Sequence, residues 1–389
     1  MHRLQFHYTL SRDASPALVR NPLMDLLQAV STQGSISAGA RALGLSYRHV
    51  WGELKRWEGE LGNELVVWEK GQSARLTEFG TKLMWAERQA QARLAPQIEA
   101  LRSDLERAFA VAFDPHAHVV TLYASHDAAL AALREHALHP DAACANGTQV
   151  HLDVRFCGSV DAIRALNEGR CVMAGFHTLQ HPAPGSLAER TYKPLLQPGL
   201  HKIIGFAERT QGLMVAAGNP LGLHTLADVQ RTQARFVNRA RGTGTRVVLD
   251  ELLAQAGIAA NTLKGYEHSE PSHTAAAHAV ASNLADAALG IAIAAKAQGL
   301  DFVPLVQENY HLVCLKSALD EPAIAALREV LQGVRWQQAL AGIAGYRPSH
   351  SGKVLPLSEL LPWWNFSKRK MSKDGATSRS HGLPHAVKE

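Results

Sequence analysis

Between Val119 and about Pro362 the chain alternates short apolar runs with longer runs of helical spacing. HVVTLYAS, QVHLDVRF, CVMAGFH, GLMVAAG and ARFVNR read as strands, and SVDAIRALNEG and TRVVLDELLAQAG as helices. Strands alternating with helices predict an α/β sheet, and a region of roughly 240 residues has room for two lobes. The preceding residues differ. Residues 22–80 hold short amphipathic helices and a hairpin. Over 80–112, Leu83, Met84, Leu94, Ile98, Leu101, Leu105 and Phe109 recur at broadly helical spacing. Pro96 should kink or split that helix, and FDPHAH at 113–118 ends it. The lead RLQFHYTL reads as a short strand.

The stretch NPLMDLLQAVSTQGSISAGARALGLSYRHVWGELKRWEGELG predicts three helices. Leu23, Leu26, Leu27 and Val30 share a face of the first. Ser35 or Ser37 can cap the second and Ser46 the third, each accepting an orphan backbone N–H. Gly44 supplies a tight turn. Ala38, Ala42, Leu45 and Val50 are expected where two helices cross closely. Such a pair is a helix-turn-helix, whose second helix enters the DNA major groove. Ser46, Tyr47, Arg48 and His49 then face the groove, with Arg48 able to give guanine two donors. Lys55 and Arg56 suit the phosphate backbone. Trp51 and Trp57 fit the core better. LVVWEKGQSARLTEFG reads as a wing with Lys70 and Arg75 near its tip.

GSISAGARALGLSYRHVWGELKRWEGELG with ARLTEFGTKL resembles the winged helix-turn-helix of molybdate-responsive ModE-type regulators, relatives of the LysR type. The short wing loop is closer to the LysR style. The resemblance implies that the helix after the wing forms a homodimer, or a dimer of dimers, on a palindromic DNA operator.

In FVNRARGTGTRVVLDELL a strand ends at Asn238 and a helix starts near Thr245, with Gly242, Thr243, Gly244 and Thr245 between them. Amides and hydroxyls at a helix start bind anions. Arg239, Arg241 and Arg246 add charge. YASHDAAL and FCGSVDAIRAL make the same turn through Ser125 and Ser159. GTGTR is not the dinucleotide fingerprint and no phosphate-loop lysine motif occurs. GLMVAAGNPLGLHTLADV, GYEHSEPSHTAAAHAVASNLADAALGI and GLDFVPLVQENYHLVC resemble the periplasmic-binding-protein-like domain of cytoplasmic regulators and molybdate-binding proteins. That resemblance implies two lobes, a hinge, and molybdate or tungstate held by neutral donors. Ser125, Ser159, Thr243 and Thr245 match its ligand positions, and Gly244 and Arg241 join them as candidates. His126 and Asp127 depart from the small residues usual in that loop. His177 ends a strand near the same cleft.

The expected fold class is therefore α+β multidomain: a winged helix-turn-helix over 1–80, a linker or dimerisation helix over 81–113, and a two-lobed α/β periplasmic-binding-protein-like domain over 119–362. The formal charge of +5 adds little, because residues 366–389 hold six Lys/Arg against two Asp/Glu. That basic tail reads as a disordered extension. An apolar content of 46% and a charged content of 19% suit a globular chain. No apolar run is long enough for a membrane span and no signal core leads the chain, so a cytoplasmic location is expected. Cys144, Cys157, Cys171 and Cys314 lack CxxC spacing and read as reduced thiols. Glu270, His273 and His278 lack the HExxH spacing of a catalytic metal site. With no GxSxG elbow either, no enzyme, metal or cofactor is expected. The chain reads as a ligand-responsive transcriptional regulator that senses an oxyanion and controls genes linked to molybdenum or tungsten. Two alternatives remain: a regulator sensing a small organic anion, and a ligand-binding module whose helix-turn-helix meets another protein.

Overall fold

The computed structural model describes residues 21–67, 73–113, 117–138 and 150–364. The lead strand, Lys70 at the wing tip, Cys144 and the tail 366–389 lie outside the described residues. Asn21, Ser35 and Ser46 cap α1 (Pro22–Gln33), α2 (Ile36–Ala42) and α3 (Tyr47–Leu61), each side-chain oxygen accepting a first-turn amide. Gly44 makes the turn between α2 and α3 with φ +68. The tight approach of α1 and α2 falls at Gly39, where a Cβ would stand 3.1 Å from the Val30 amide nitrogen, and at the buried Ala40. Ala42 and Leu45 are exposed, a correction to the expected crossing. Leu27, Val30, Ile36, Val50, Leu54 and Leu65 close this small core.

The wing strands β1 (Val66–Val67) and β2 (Arg75–Leu76) pair antiparallel. Thr77 fixes the wing to the helix that follows. Its hydroxyl donates to Glu64 O at 2.7 Å and accepts from Gly80 N at 2.9 Å. A Cβ at Gly80 would overlap Leu65 O. Thus LTEFG places a cap and a bare backbone where the wing crosses the helix start. Helix α4 (Glu78–Phe113) continues through Pro96. Of the expected kink or split, the split does not occur.

The remaining chain builds one large sheet. Lobe I contains β3 (His118–Ala124), α5 (Ala128–Leu138), β4 (Val150–Phe156), α6 (Ser159–Asn167), β5 (Met173–Leu179) and α7 (Leu187–Tyr192). The long strand β6 (His201–Val215) leads into lobe II: α8 (Leu226–Arg231), β7 (Phe236–Arg239), α9 (Gly244–Gln255), β8 (Ser269–Glu270), α10 (His273–Ala281), β9 (Ala287–Ile291) and α11 (Ala292–Ala297). Strand β10 (Asp301–Leu315) returns. Next come α12 (Pro322–Gln332), α13 (Val334–Ala341), β11 (Tyr346–Pro348), β12 (Val354–Leu355) and α14 (Leu357–Leu360). The strand order is β4-β3-β5-β10-β6-β9-β7-β8, with β11 and β12 on β6. β3 runs parallel to β4 and β5, and β7 parallel to β8 and β9. β6 and β10 run antiparallel to each other, from Asp301 opposite Val215 to Leu315 opposite His201. Because β10 also pairs β5 and β6 also pairs β9, this two-stranded ribbon joins the lobes. Buried Val, Leu and Ala fill the strands on both faces, as a sheet covered by helices requires. Cys157, Cys171 and Cys314 are free thiols.

Candidate functional site

The first turn of α3 presents Tyr47, Arg48 and His49 to solvent. Ser46 is exposed too, but its hydroxyl accepts His49 N at 3.2 Å as the cap. Val50 and Leu54 pin the opposite face to the core. Trp51 and Trp57 are half-buried against that core. Lys55 lies 5.0 Å over the Trp51 ring and pairs with Glu58 at 2.6 Å. Arg56 is held between Glu53 at 2.6 Å and Glu60 at 2.7 Å. Both side chains expected at the phosphate backbone, Lys55 and Arg56, are thus exposed and engaged in ion pairs along their own helix. Arg75 stands exposed on β2, on the wing.

The second site lies between the lobes. Ser125 comes from the β3–α5 loop, Ser159 starts α6, and His177 stands on β5. Arg209 and Gln211 from β6 and Glu308 and Tyr310 from β10 line the ribbon. Arg239 ends β7, Gly244 and Thr245 start α9, and His273 starts α10. All these side chains are buried. Contacts join them: the rings of His177 and Tyr310 stack at 3.9 Å. Gln211 Nε2 donates to Thr245 Oγ1 at 3.2 Å and to Glu308 Oε1 at 2.8 Å, and Thr245 Oγ1 meets His273 Nε2 at 3.4 Å. The lobes touch through backbone. Val160 N donates to Gly242 O at 3.4 Å, and a Cβ at Gly158 would stand 2.7 Å from that oxygen.

Buried polar groups normally find partners. Here, among the described residues, Ser125 Oγ, both ring nitrogens of His177, Arg239 Nε and Nη1, His273 Nδ1, Gln211 Oε1 and Glu308 Oε2 have none. Arg239 is the sharpest case. Its Nη2 donates to Pro271 O at 2.9 Å, yet no carboxylate pairs with it among the described residues. Burial, with Arg209 beside it, pushes its pKa down to about 9. Burial first, then Arg209, holds the His177 pKa well below its usual range; for His273 the causes are burial, then Arg239. Both rings are neutral at pH 7. Among these three, the charge at neutral pH is carried by Arg239.

Asp127, an apparent obstacle to an anion, has both carboxylate oxygens engaged. Its Oδ1 accepts Ala129 N at 2.8 Å, and its Oδ2 pairs with Arg209 and accepts the Tyr346 hydroxyl at 2.7 Å. Arg209 also pairs with Glu308. His126 turns away toward α4.

Two expected ligand residues fall outside this set. Arg241 points into solvent and pairs with Glu267 at 2.9 Å. Thr243 spends its hydroxyl as the cap of α9, donating to Ala240 O at 2.8 Å and accepting Arg246 N at 3.3 Å. Arg246 stacks on Tyr266 at 3.9 Å and meets Asp250. Beside the neutral donors expected from the sequence, the cleft holds Arg239 and two unpartnered acceptor atoms, Gln211 Oε1 and Glu308 Oε2. Arg209, Gln211, Glu308 and Tyr310 escaped the sequence reading. Their signal is polar residues two apart on a strand that is otherwise buried.

Residues 23–81 match the family model for the bacterial regulatory helix-turn-helix protein of the lysR family, and residues 142–332 the PBP superfamily domain. The chain joins a LysR-family helix-turn-helix to a PBP-superfamily domain. An uncharacterised Bacillus subtilis protein, YvgK, is 32% identical over 201 residues, 52% of this chain. The chain spans 64% of that relative's length. An uncharacterised Clostridium pasteurianum protein, from the 5′ region of a 2Fe-2S ferredoxin gene, is 32% identical over 110 residues, covering 28% of this chain and 97% of that one. Among solved structures, the Corynebacterium glutamicum OxyR C206 mutant is 15% identical, covers 82% of this chain and 93% of its own, and gives a TM-score of 0.40. ArgP from Mycobacterium tuberculosis is 21% identical over 83% of this chain and 98% of its own, with a TM-score of 0.36. These family matches carry the LysR side of the expected resemblance. The PBP-like match covers the ribbon, Ser159, His177, Arg239, the start of α9 and His273. No described helix is long and apolar enough to cross a membrane.

Proposed function

We propose that the chain is a ligand-responsive transcriptional regulator. In this reading, Tyr47, Arg48 and His49 meet DNA base edges and Arg75 on the wing meets phosphate, while the interlobe cleft takes a small anion. The observation that carries the ligand half is Arg239: a buried guanidinium with two unpartnered nitrogens, beside neutral histidines and with no carboxylate in direct contact among the described residues. An isolated buried charge is costly, and an anion offsets that cost. Ser125, Ser159 and the first amides of α6, α9 and α10 supply the neutral donors around it.

Molybdate and tungstate are the first ligands to test, because hydroxyls and helix starts suit a tetrahedral dianion. A small organic anion is the second reading. It is favoured by Gln211 Oε1 and Glu308 Oε2, acceptors that a fully ionised oxyanion cannot use. The exposed apolar side chains of α4, Leu94 at 40% and Leu101 at 60% accessible, support a homodimer or a dimer of dimers on a palindromic operator. Calorimetry with molybdate, tungstate, sulfate, phosphate and a panel of small carboxylates tests the cleft. Arg239→Met should abolish the heat of whichever anion binds. Unchanged binding in that variant would put the site elsewhere.

A further inference from the structure

Helix α4 grips both lobes. On lobe II, Arg93 forms a two-point pair with Glu270, at 2.9 Å and 2.6 Å. The Trp85 and His278 rings lie 5.1 Å apart, and His278 Nε2 reaches Trp85 O at 3.3 Å. On lobe I, Glu99 meets His126 at 3.3 Å and Arg102 pairs with Glu135 at 3.0 Å. The buried Ser103 hydroxyl accepts Val154 N at 2.9 Å, and Arg107 pairs with Asp153 at 3.2 Å. Pro96 stands between the two grips.

A proline has no amide hydrogen, so the carbonyl four residues earlier loses its helical donor. That carbonyl is Ala92 O, and the Ser272 hydroxyl donates to it at 3.3 Å. The same hydroxyl accepts Ala275 N at 3.0 Å as the cap of α10. Ser272 is fully buried, and its neighbours on both sides serve the cleft: Pro271 O holds Arg239, and His273 carries the unpartnered Nδ1. Lobe I repeats the arrangement. His126, bound to Glu99, stands between Ser125 and Asp127. Each lobe therefore gives one residue to the cleft and the adjacent residue to the helix.

We propose that α4 is a strap that reports the angle between the lobes to the helix-turn-helix, pivoting at Pro96 between the Ser272–Ala92 latch and the Glu99–His126 contact. The inference rests on the reading of the cleft as a ligand site and names how that site is coupled to DNA binding. Opening or closing the cleft moves the two grips relative to each other, and the helix bends where its ladder of bonds is already broken. Coupling is reciprocal. Weakening a grip therefore alters cleft opening with no ligand present.

Hydrogen–deuterium exchange on the ligand-free full chain tests this. Pro96→Ala restores the amide, returns Ala92 O to its own helix and leaves Ser272 only its cap. Arg93→Ala removes the main ion pair on lobe II. Both variants should speed exchange several-fold at residues 125–129 of lobe I, which neither substitution touches, as well as at 273–276. Arg241→Ala, which breaks an exposed pair on lobe II, should leave residues 125–129 unchanged. If the changes in both strap variants stay within residues 85–100 and 268–278, the lobes are not coupled through α4 and the inference fails. Neither ligand nor operator enters the measurement, so its failure leaves the regulator reading intact, and failure of anion binding leaves its result intact.

Discussion

Gly244 lies flat against the His177 ring: a Cβ on the glycine would stand 2.5 Å from Nδ1 and 2.8 Å from the histidine Cβ. The two residues belong to opposite lobes, so a side chain at this position would clash across the cleft. Gly244→Ala should hold the lobes apart. Overpacking by a methyl group costs about 1–3 kcal/mol, or roughly a 5- to 150-fold loss of anion affinity. Calorimetry reads the loss, and the melting temperature should move little. Parental affinity in this variant would mean that the closed arrangement is not the binding one.

Acid should destabilise the sensor before it titrates the carboxylates. Burial holds the pKa values of His177 and His273 well below the usual histidine range and pushes His311 down to about 3. In the unfolded chain each takes a proton near pH 6.5. The folded pKa values are depressed, so the unfolded state binds more protons below that pH. The stability is complete above pH 6.5 and is lost as pH falls toward the folded values, by up to about 1.4 kcal/mol per pH unit for each histidine. Denaturant melts between pH 7.5 and 5 give the slope. His311→Gln, which keeps a partner for Thr178, should flatten it by about one proton. An unchanged slope would remove His311 from the account.

Arg48→Ala should relax base preference and cost about 1–3 kcal/mol of operator affinity. Arg56→Ala should cost far less, because Glu53 and Glu60 already hold that guanidinium. Glu53→Gln should tighten DNA binding at low salt by releasing it, with a steeper salt dependence. Electrophoretic titration at two salt concentrations separates the three. Equal losses in Arg48→Ala and Arg56→Ala would mean that α3 sits differently in the groove.

The exposed apolar residues of α4 should bury against a second copy. Leu94→Glu with Leu101→Glu should give a single-chain mass by light scattering, with a parental far-ultraviolet spectrum. A single-chain mass for the parent itself would sink the dimer.

Much of the fold could be read from local signals. Ser35 and Ser46 announce their helices because a cap acts within three residues, and Thr77 with Gly80 marks the wing crossing for the same reason. The cleft was readable only where its residues cluster, at Ser125, Ser159 and the start of α9. Arg239 and Arg241 differ by two positions and look alike in the sequence. Only the loop turning outward at Gly242, φ +82, sends one to the cleft and the other to Glu267. The ribbon residues Arg209 and Glu308 lie 99 positions apart, and no local pattern links them. The ion pairs of Arg56 were legible as well, since Glu53 and Glu60 stand at the three- and four-residue spacings where helix ion pairs form. The sequence around Pro96 predicts only a kink or a split, because the donor that takes up the freed carbonyl is 180 positions away.

The backbone contact of Val160 with Gly242 acts as an end stop. Once the glycines at 158 and 242 meet, further attraction from a ligand cannot rotate the lobes. On the proposed reading of the cleft, any ligand small enough to be enclosed should deliver the same final geometry, with its chemistry setting only the concentration at which that geometry is reached. Such a sensor has adjustable sensitivity and fixed amplitude. Substitutions around the cleft should slide the dose–response curve along the concentration axis, whereas a side chain at Gly158 should lower its plateau.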